Sequence, residues 1–356
     1  MASTLKRLSE DEVAGILSFL PAKAIIKLRT LSRYVLRRSA CNHFLLTQSR
    51  HTKADSGFFT RPYYGPVVLT LLDPHAGIPN EGLRFLQHAE RVVRASANGL
   101  VFCSNKSRIL GSLCVCNPVA PIATLRFIPP PTGEEHHDLS CIGVAVDRMS
   151  RGYELVCFTK PPDWHSPYCF RVYASADNAW KFHKMVDGGP RDLQLEYPVI
   201  CGRTVYLAST CGPYMHTAPY IVAFDIEEEG SEILSIPREA TKASDCHEIR
   251  IARWGEKSLC LISCRRSSIF KLWAMSRDQG TIAWVEKYQV SMMEMGLTSP
   301  GDVHSFTVIN SDTLVFVMNS SIYSYDIKKR ALKELQKGYP SGYPILISYA
   351  NSLRPY

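Results

Sequence analysis

Two rhythms of apolar residues divide the chain. From Leu8 to Val35 they recur at helical spacing. Ser9 with Glu12 three residues on reads as a capping box, and Val13, Ile16, Leu17 and Leu20 follow on one stripe. Pro21 ends that helix and suits the first turn of another, which is expected to place Ile25, Leu28, Leu31 and Val35 on one face. A third short helix is expected around Phe44, Leu45 and Leu46. About fifty residues of small helices cannot bury so much apolar surface alone, so this face either meets a partner or packs on the domain that follows.

After residue 95 the helical spacing stops. Short runs rich in β-branched and aromatic residues alternate with Gly, Pro, Asn and Asp turns. A repeat runs through them. Each unit has a first run (GLVFC, YELVCF, TVYLA, SLCLIS, TLVFV), a loop, and a second run that ends in a polar turn (LCVCNPVAP, FRVYASADN, IVAFDIEEEG, KLWAMSRDQG, IYSYDIKKR). First runs anchored on Leu100, Leu155, Val205, Leu259 and Leu314 are 55, 50, 54 and 55 residues apart. Turns anchored on Asn117, Ser175, Asp225, Ser276 and Asp326 are 58, 50, 51 and 50 apart. A third apolar stretch follows each turn, often with Trp or a Pro behind it, as at Trp180, Ile236-Pro237 and Trp284, giving at least three strands per unit.

A period of about fifty residues made of consecutive antiparallel strands is the signature of a kelch-like β-propeller, with a two-sheet sandwich as the alternative. Five units are complete. A sixth is expected from both ends, with residues 340 to 349 pairing with the strand near Val67 to Leu72, because a closed ring leaves no long sheet edge exposed.

Composition narrows the class. The 356 residues are 46% hydrophobic and 21% charged, ordinary for a globular chain and unlike disordered or fibrous ones. No apolar run reaches the ~18 residues of a membrane helix, and the first segment lacks a signal peptide's apolar core, so the expectation is a soluble protein of cytoplasm or nucleus with no membrane partner. The twelve cysteines are then read as reduced thiols. Charge is uneven. The first 55 residues hold ten Lys or Arg against four acids, so they carry six of the eight net positive charges, and their partner is expected to be acidic. Nucleic acid is one acidic partner, but the basic residues 23 to 38 are interleaved with the apolar stripe and lack the Asn, Gln and aromatic readers of bases. An acidic protein explains the same charges.

No catalytic motif is found: the chain has no GxSxG elbow, Walker loop, GxGxxG or HExxH. Cys260 and Cys264 on one strand stand ~13 Å apart, too far to share an ion. Cys114 and Cys116 lack two further ligands at fixed spacing and read as core. His136, His137 and Asp138 form a candidate ligand cluster in a polar loop whose simpler reading is solvation. No cofactor or metal is expected, and the chain reads as a binding protein rather than an enzyme.

Residues 5 to 50 resemble an F-box, most clearly in LPAKAIIKLRTLSR from Leu20-Pro21. The remainder resembles the kelch-like F-box-associated domain abundant in plant proteins, through NGLVFCS at Asn98 to Ser104, CNP at Cys116 to Pro118 and SYANSL at Ser348 to Leu353. The sequence departs from the F-box pattern at Leu8-Ser9, where Leu-Pro is usual, and at Val35, where Trp is usual. The resemblance implies an F-box at residues 1–50, a linker and first propeller strands at 51–95, and the propeller at 96–356. It also implies a function: the substrate-recognition subunit of an SCF-type cullin-RING ubiquitin ligase, non-catalytic itself, docked on the acidic Skp adaptor and holding an unidentified protein substrate for ubiquitination. A non-degradative scaffold is the alternative, and a nucleic-acid-binding protein a further one. Adaptor binding is expected from Leu8, Val13, Ile16, Leu20, Pro21, Ile25, Leu28 and Leu31, complemented by Lys23, Lys27 and Arg29. Substrate binding is expected on the long loops 160–168 and 210–219, from Trp164, His165, Tyr168, Tyr214, Met215 and His216, because loops at equivalent repeat positions share one face of a ring. The alternative for each of these side chains is that it folds back to cap the ring.

Overall fold

The computed structural model describes residues 8–356 apart from 53, 63–65, 79, 85, 87–90, 106–112, 121–124, 132–140, 148, 160–166, 212–216, 241–246, 266–267, 279–280, 298–300 and 340–342. Four helices come first, not three: α1 (Glu10–Ser18), α2 (Ala22–Leu31), α3 (Arg33–Arg38) and α4 (Asn42–His51). Ser9 closes the expected capping box, its N–H donating to Glu12 Oε2 at 2.7 Å while its Oγ accepts from Glu12 N–H at 3.3 Å. Pro21, missing only an amide that a helix start leaves unpaired, is the N-cap of α2. The extra helix arises at Ser32, whose backbone turns extended and whose hydroxyl accepts from Val35 N–H, ending α2 and starting α3. Val35 therefore leaves the stripe assigned to α2 and is buried on α3.

The strands form six antiparallel sheets in ring order. The first holds β1 (Gly57–Arg61) and β2 (Val68–Leu71). The second is β3 (Arg91–Ala97), β4 (Leu100–Asn105), β5 (Cys114–Cys116) and β6 (Arg126–Phe127), and the third β7 (Cys141–Val146), β8 (Tyr153–Thr159), β9 (Tyr168–Ala174) and β10 (Ala179–Val186). The fourth is β11 (Val199–Cys201), β12 (Thr204–Ala208), β13 (Tyr220–Asp225) and β14 (Ser231–Ser235). The fifth is β15 (His247–Trp254), β16 (Ser258–Arg265), β17 (Ile269–Asp278) and β18 (Thr281–Ser291). The sixth is β19 (Val303–Ile309), β20 (Thr313–Met318), β21 (Ser321–Asp326) and β22 (Ala331–Gln336). A last strand, β23 (Ile345–Tyr349), returns to the first sheet. Consecutive first strands β3, β7, β11, β15 and β19 neighbour one another, and β23 stands between β19 and β3. The molecule is a six-bladed β-propeller with an N-terminal helical module.

Both sets of repeat anchors fall on equivalent strands: the first runs are the second strands of blades two to six, and the second runs the third strands. The turns recur for a local reason. Asp225 accepts the amides of Glu227 and Glu228 at 2.8 and 3.0 Å, and Asp326 accepts that of Lys329 at 2.8 Å. The recurring Trp residues lie on fourth strands. Trp180 donates its indole N–H to Pro129 O at 2.8 Å and Trp284 to Ser235 O at 2.9 Å, each tying an outer strand to the chain of the preceding blade. Between blades the core is aromatic and aliphatic, with Phe170 and Phe224 rings 3.7 Å apart and Phe270 5.5 Å from Phe306.

Closure differs from the expectation in its partner. β23 pairs with β1, from Gly57↔Tyr349 to Arg61↔Ile345, and β1 in turn carries β2 on its other side. The strand near Val68 is therefore one place further out than expected. Thr60, Phe59 and Phe58 give β1 a continuous buried run that the sequence reading passed over because it is only five residues long. Gly57 is required here, since a Cβ would come within 2.2 Å of Thr70 O.

Candidate functional site

The helical module presents one face to the ring and another outward. Ala22, Ile25 and Phe44 are buried in a cluster with Phe59, Val93, Val101, Val119, Tyr349 and Leu353. Burying a side chain such as Ile25 stabilises this seam by about 1.5–3 kcal/mol. Arg29 lies on the same side of α2. It is 9% exposed and donates through Nε to Ser39 Oγ at 2.5 Å and through Nη2 to Ser39 O, and burial pulls the guanidinium below its ordinary pKa. Lys23 donates to Ala76 O at 3.4 Å. Of the three cations expected to complement an acidic partner, only Lys27 is exposed.

The outward side carries large apolar groups. Leu31 is 80% exposed, Phe19 71%, Leu8 57%, Ile16 56% and Leu36 50%. Phe19 stacks on His51 with ring centroids 3.7 Å apart. Pro21 is exposed, whereas Val13, Leu20 and Leu28 are half-buried. The expected docking set thus divides. Leu8, Ile16, Pro21 and Leu31 face solvent, and Ile25 does not, because six residues on an α-helix rotate Leu31 about 120° away from it. Phe19 and Leu36 join the exposed set. Helical periodicity alone could have flagged Phe19, three residues beyond Ile16. Exposed Lys27, Arg33 and Arg37 lie along α2 and α3, while Arg38 is engaged with Asp11 at 2.6 Å.

Of the loop residues expected to hold a target, Trp164, His165, Tyr214, Met215 and His216 lie outside the described residues. Tyr168 is described and is 5% exposed: its hydroxyl accepts from Leu193 N–H at 3.1 Å and burial raises its pKa. It caps the blade and is not an exposed anchor. The surrounding frame was not foreseen. Arg191, 5% exposed, donates through Nε to Thr217 O at 2.7 Å and through Nη1 to Thr210 O at 2.8 Å, so one guanidinium pins both ends of loop 210–217. Tyr220 Oη accepts from Arg191 N–H and donates to Gly188 O, both at 2.8 Å. Both candidate loops are thereby fastened to the single segment 187–195 between β10 and β11.

A cavity of about 420 Å³ occupies the centre of the ring, lined among others by Ser96, Ile142, Tyr197, Arg250 and Phe306. Arg250 stacks on Tyr197 at 4.4 Å and donates to Gln194 Oε1 at 2.9 Å. Asp55 and Arg253 pair across it at 3.4 Å. Cys114 and Cys116 are buried in the seam cluster with Cys103, and Cys260 and Cys264 in the cluster between blades five and six. Burial pushes all five thiols up, Cys264 to about 12. The His136–Asp138 cluster lies outside the described residues.

No protein-family model matches the chain, and no curated protein sequence does. Among solved structures, the Saccharomyces cerevisiae protein Sqt1 aligns with 70% of this chain and 64% of its own at 13% identity, with a TM-score of 0.36. A prolyl endopeptidase structure aligns with 88% of this chain and 41% of its own at 11% identity and a TM-score of 0.37. Porphyromonas gingivalis dipeptidyl peptidase 4 aligns with 70% and 47% at 11% identity and a TM-score of 0.39. The chain therefore spans less than two thirds of each of these proteins.

Proposed function

We propose that the protein is the substrate receptor of an SCF-type cullin-RING ubiquitin ligase, with the helical module as an F-box that docks an acidic Skp adaptor and the kelch-like propeller holding a target protein. The observation that carries this reading is the outward face of the helices. Leu8, Ile16, Phe19, Leu31 and Leu36 are each at least half exposed on a module whose opposite side is sealed to the ring. An exposed concentration of large apolar groups is costly in a free chain and is expected where a partner covers it. Lys27, Arg33 and Arg37 beside them favour an acidic partner surface. Receptor action needs no bond chemistry from this chain; it raises the effective concentration of a target at the transfer enzyme.

Co-purification of the full chain with a Skp adaptor tests the reading. Wild type is expected to bind, Leu31→Asp to lose at least about tenfold in affinity because a charge enters a desolvated contact, and binding to weaken with salt. A wild-type chain that binds no adaptor at physiological salt removes the ligase role and leaves the non-degradative scaffold.

A further inference from the structure

The chain that follows β23 does not run into solvent. Asn351, Ser352, Leu353 and Arg354 are 4%, 0%, 2% and 0% exposed, lying between the helical module and the turns of blades two and three. Asn117 Nδ2, just beyond β5, donates to Ser352 O at 2.9 Å and Arg354 O at 2.8 Å, and its Oδ1 accepts from Val119 N–H at 3.0 Å. Ser352 Oγ donates to Asn98 O at 2.7 Å in the β3–β4 turn. Gly99 in that turn has φ +88°, and a Cβ on it would come within 2.4 Å of Ser352 Oγ. Arg354 Nη2 meets three carbonyls of the β7–β8 turn, Asp147 O at 2.7 Å and Ser150 O and Gly152 O at 2.9 Å. On the helical side, Leu353 N–H donates to Gln48 Oε1 at 2.8 Å, and Gln48 Nε2 donates to Leu20 O at 3.3 Å, while the Leu353 side chain shares a cluster with Ala22, Ile25 and Phe44.

These are the contacts of a bound peptide. Its carbonyls meet a side-chain amide, one apolar side chain fills a pocket shared by two modules, and an arginine is held by converging carbonyls. We propose that the propeller and helical module form a peptide-binding groove for an Asn-Ser-Leu-Arg segment, occupied in this chain by Asn351–Arg354, and that its occupancy holds the helices in register with the ring. Arg354 is a cationic anchor taken up by backbone oxygens, with the Asp147 carboxylate, itself held below its ordinary range mainly by the Ser150 hydroxyl, as the nearby negative charge. Leu353 bridges the modules. The inference goes beyond the ligase reading and needs no adaptor for its test.

The test is amide hydrogen exchange on the full chain. Arg354→Ala is expected to speed exchange in α2 and α4 by at least about tenfold while β12 and β13, in the fourth blade, keep wild-type protection. A peptide of residues 350–356 added to that variant at about millimolar concentration, comparable to what a short tether supplies, is expected to restore helical protection, and the same peptide with Arg354→Ala to fail. If Arg354→Ala does not fold, Asn117→Asp carries the same readout, since it keeps the acceptor for Val119 and removes the donor to the segment. Unchanged protection of α2 and α4, equal loss in the helices and the fourth blade, or no rescue by the peptide overturns the proposal.

Discussion

Ile25 is fully buried against the ring while Leu31, on the same helix, is 80% exposed, so the two leucine-sized side chains of α2 answer to different selections. Ile25→Ala is expected to destabilise the protein by about 2–5 kcal/mol, the cost of a lost side chain and the cavity behind it. Leu31→Ala removes a side chain that is 80% exposed and is expected to change stability by less than about 0.5 kcal/mol. Denaturant midpoints of the two variants check this. Equal losses would place Leu31 in a core that the structure denies it. The sequence stripe did not separate these residues. Periodicity reports that a helix has apolar positions and is silent on which of two apolar arcs turns toward the rest of the chain. Val35 was misplaced for a related reason: the break at Ser32 depends on one serine hydroxyl accepting an amide, which competes with helix continuation at almost no compositional signal. Tyr168 read as an exposed loop aromatic because its burial is set by Leu193, 25 residues away.

At the scale of elements, the second and third strands of blades two to six were legible because most of their residues are buried and they read as predominantly apolar runs. The first strands were not. β3 (RVVRASA) and β15 (HEIRIARW) line the central cavity and carry Arg94, Ser96, Arg250 and Arg253 among their apolar residues, so their pattern resembles that of a loop. β1 escaped because it is part of a blade completed almost three hundred residues away in sequence, and β23, expected as the closing strand, was for the same reason assigned to β2 instead of β1. Closure by these strands is open to test at Leu346, which is 8% exposed in a cluster with Phe58, Val315 and Ile322 at the seam between blades six and one. Leu346→Asp buries an unpaired carboxylate and is expected to cost at least about 3 kcal/mol. With β23 loosened, β1 gains a free edge, so the variant is expected to self-associate in sedimentation. A monomeric variant with wild-type melting would show that the ring does not depend on this seam.

For the molecule as a whole, the same burial that makes seven described thiols part of the core also sets how stability responds to alkali. Burial, the first cause in each case, pushes Cys201 up to about 11 and Cys157 and Cys264 to about 12 from an ordinary 9.0, and also raises Cys103, Cys116 and Cys260. Tyr349, fully buried beside β1, is raised in the same direction. The unfolded chain therefore loses these thiol protons as pH passes about 9, while the folded chain keeps them to about 11 or above. Over that window the folded state binds more protons than the unfolded one, so the free energy of unfolding falls as pH rises. Below pH 9 both states are protonated at these groups and they contribute no slope. Denaturant midpoints measured across this range are expected to hold steady toward pH 9 and then decline. A thiol reagent at neutral pH is expected to label exposed Cys41 in the native protein and to reach Cys103, Cys157 and Cys260 only once the ring opens. Because these thiols sit in blades two, three and five, their labelling under increasing denaturant also reports whether the ring opens as a unit. Simultaneous exposure is the outcome expected of a closed ring, where no blade can leave without unsealing both neighbours, whereas stepwise labelling from blade five to blade two would describe an open array of independent sheets.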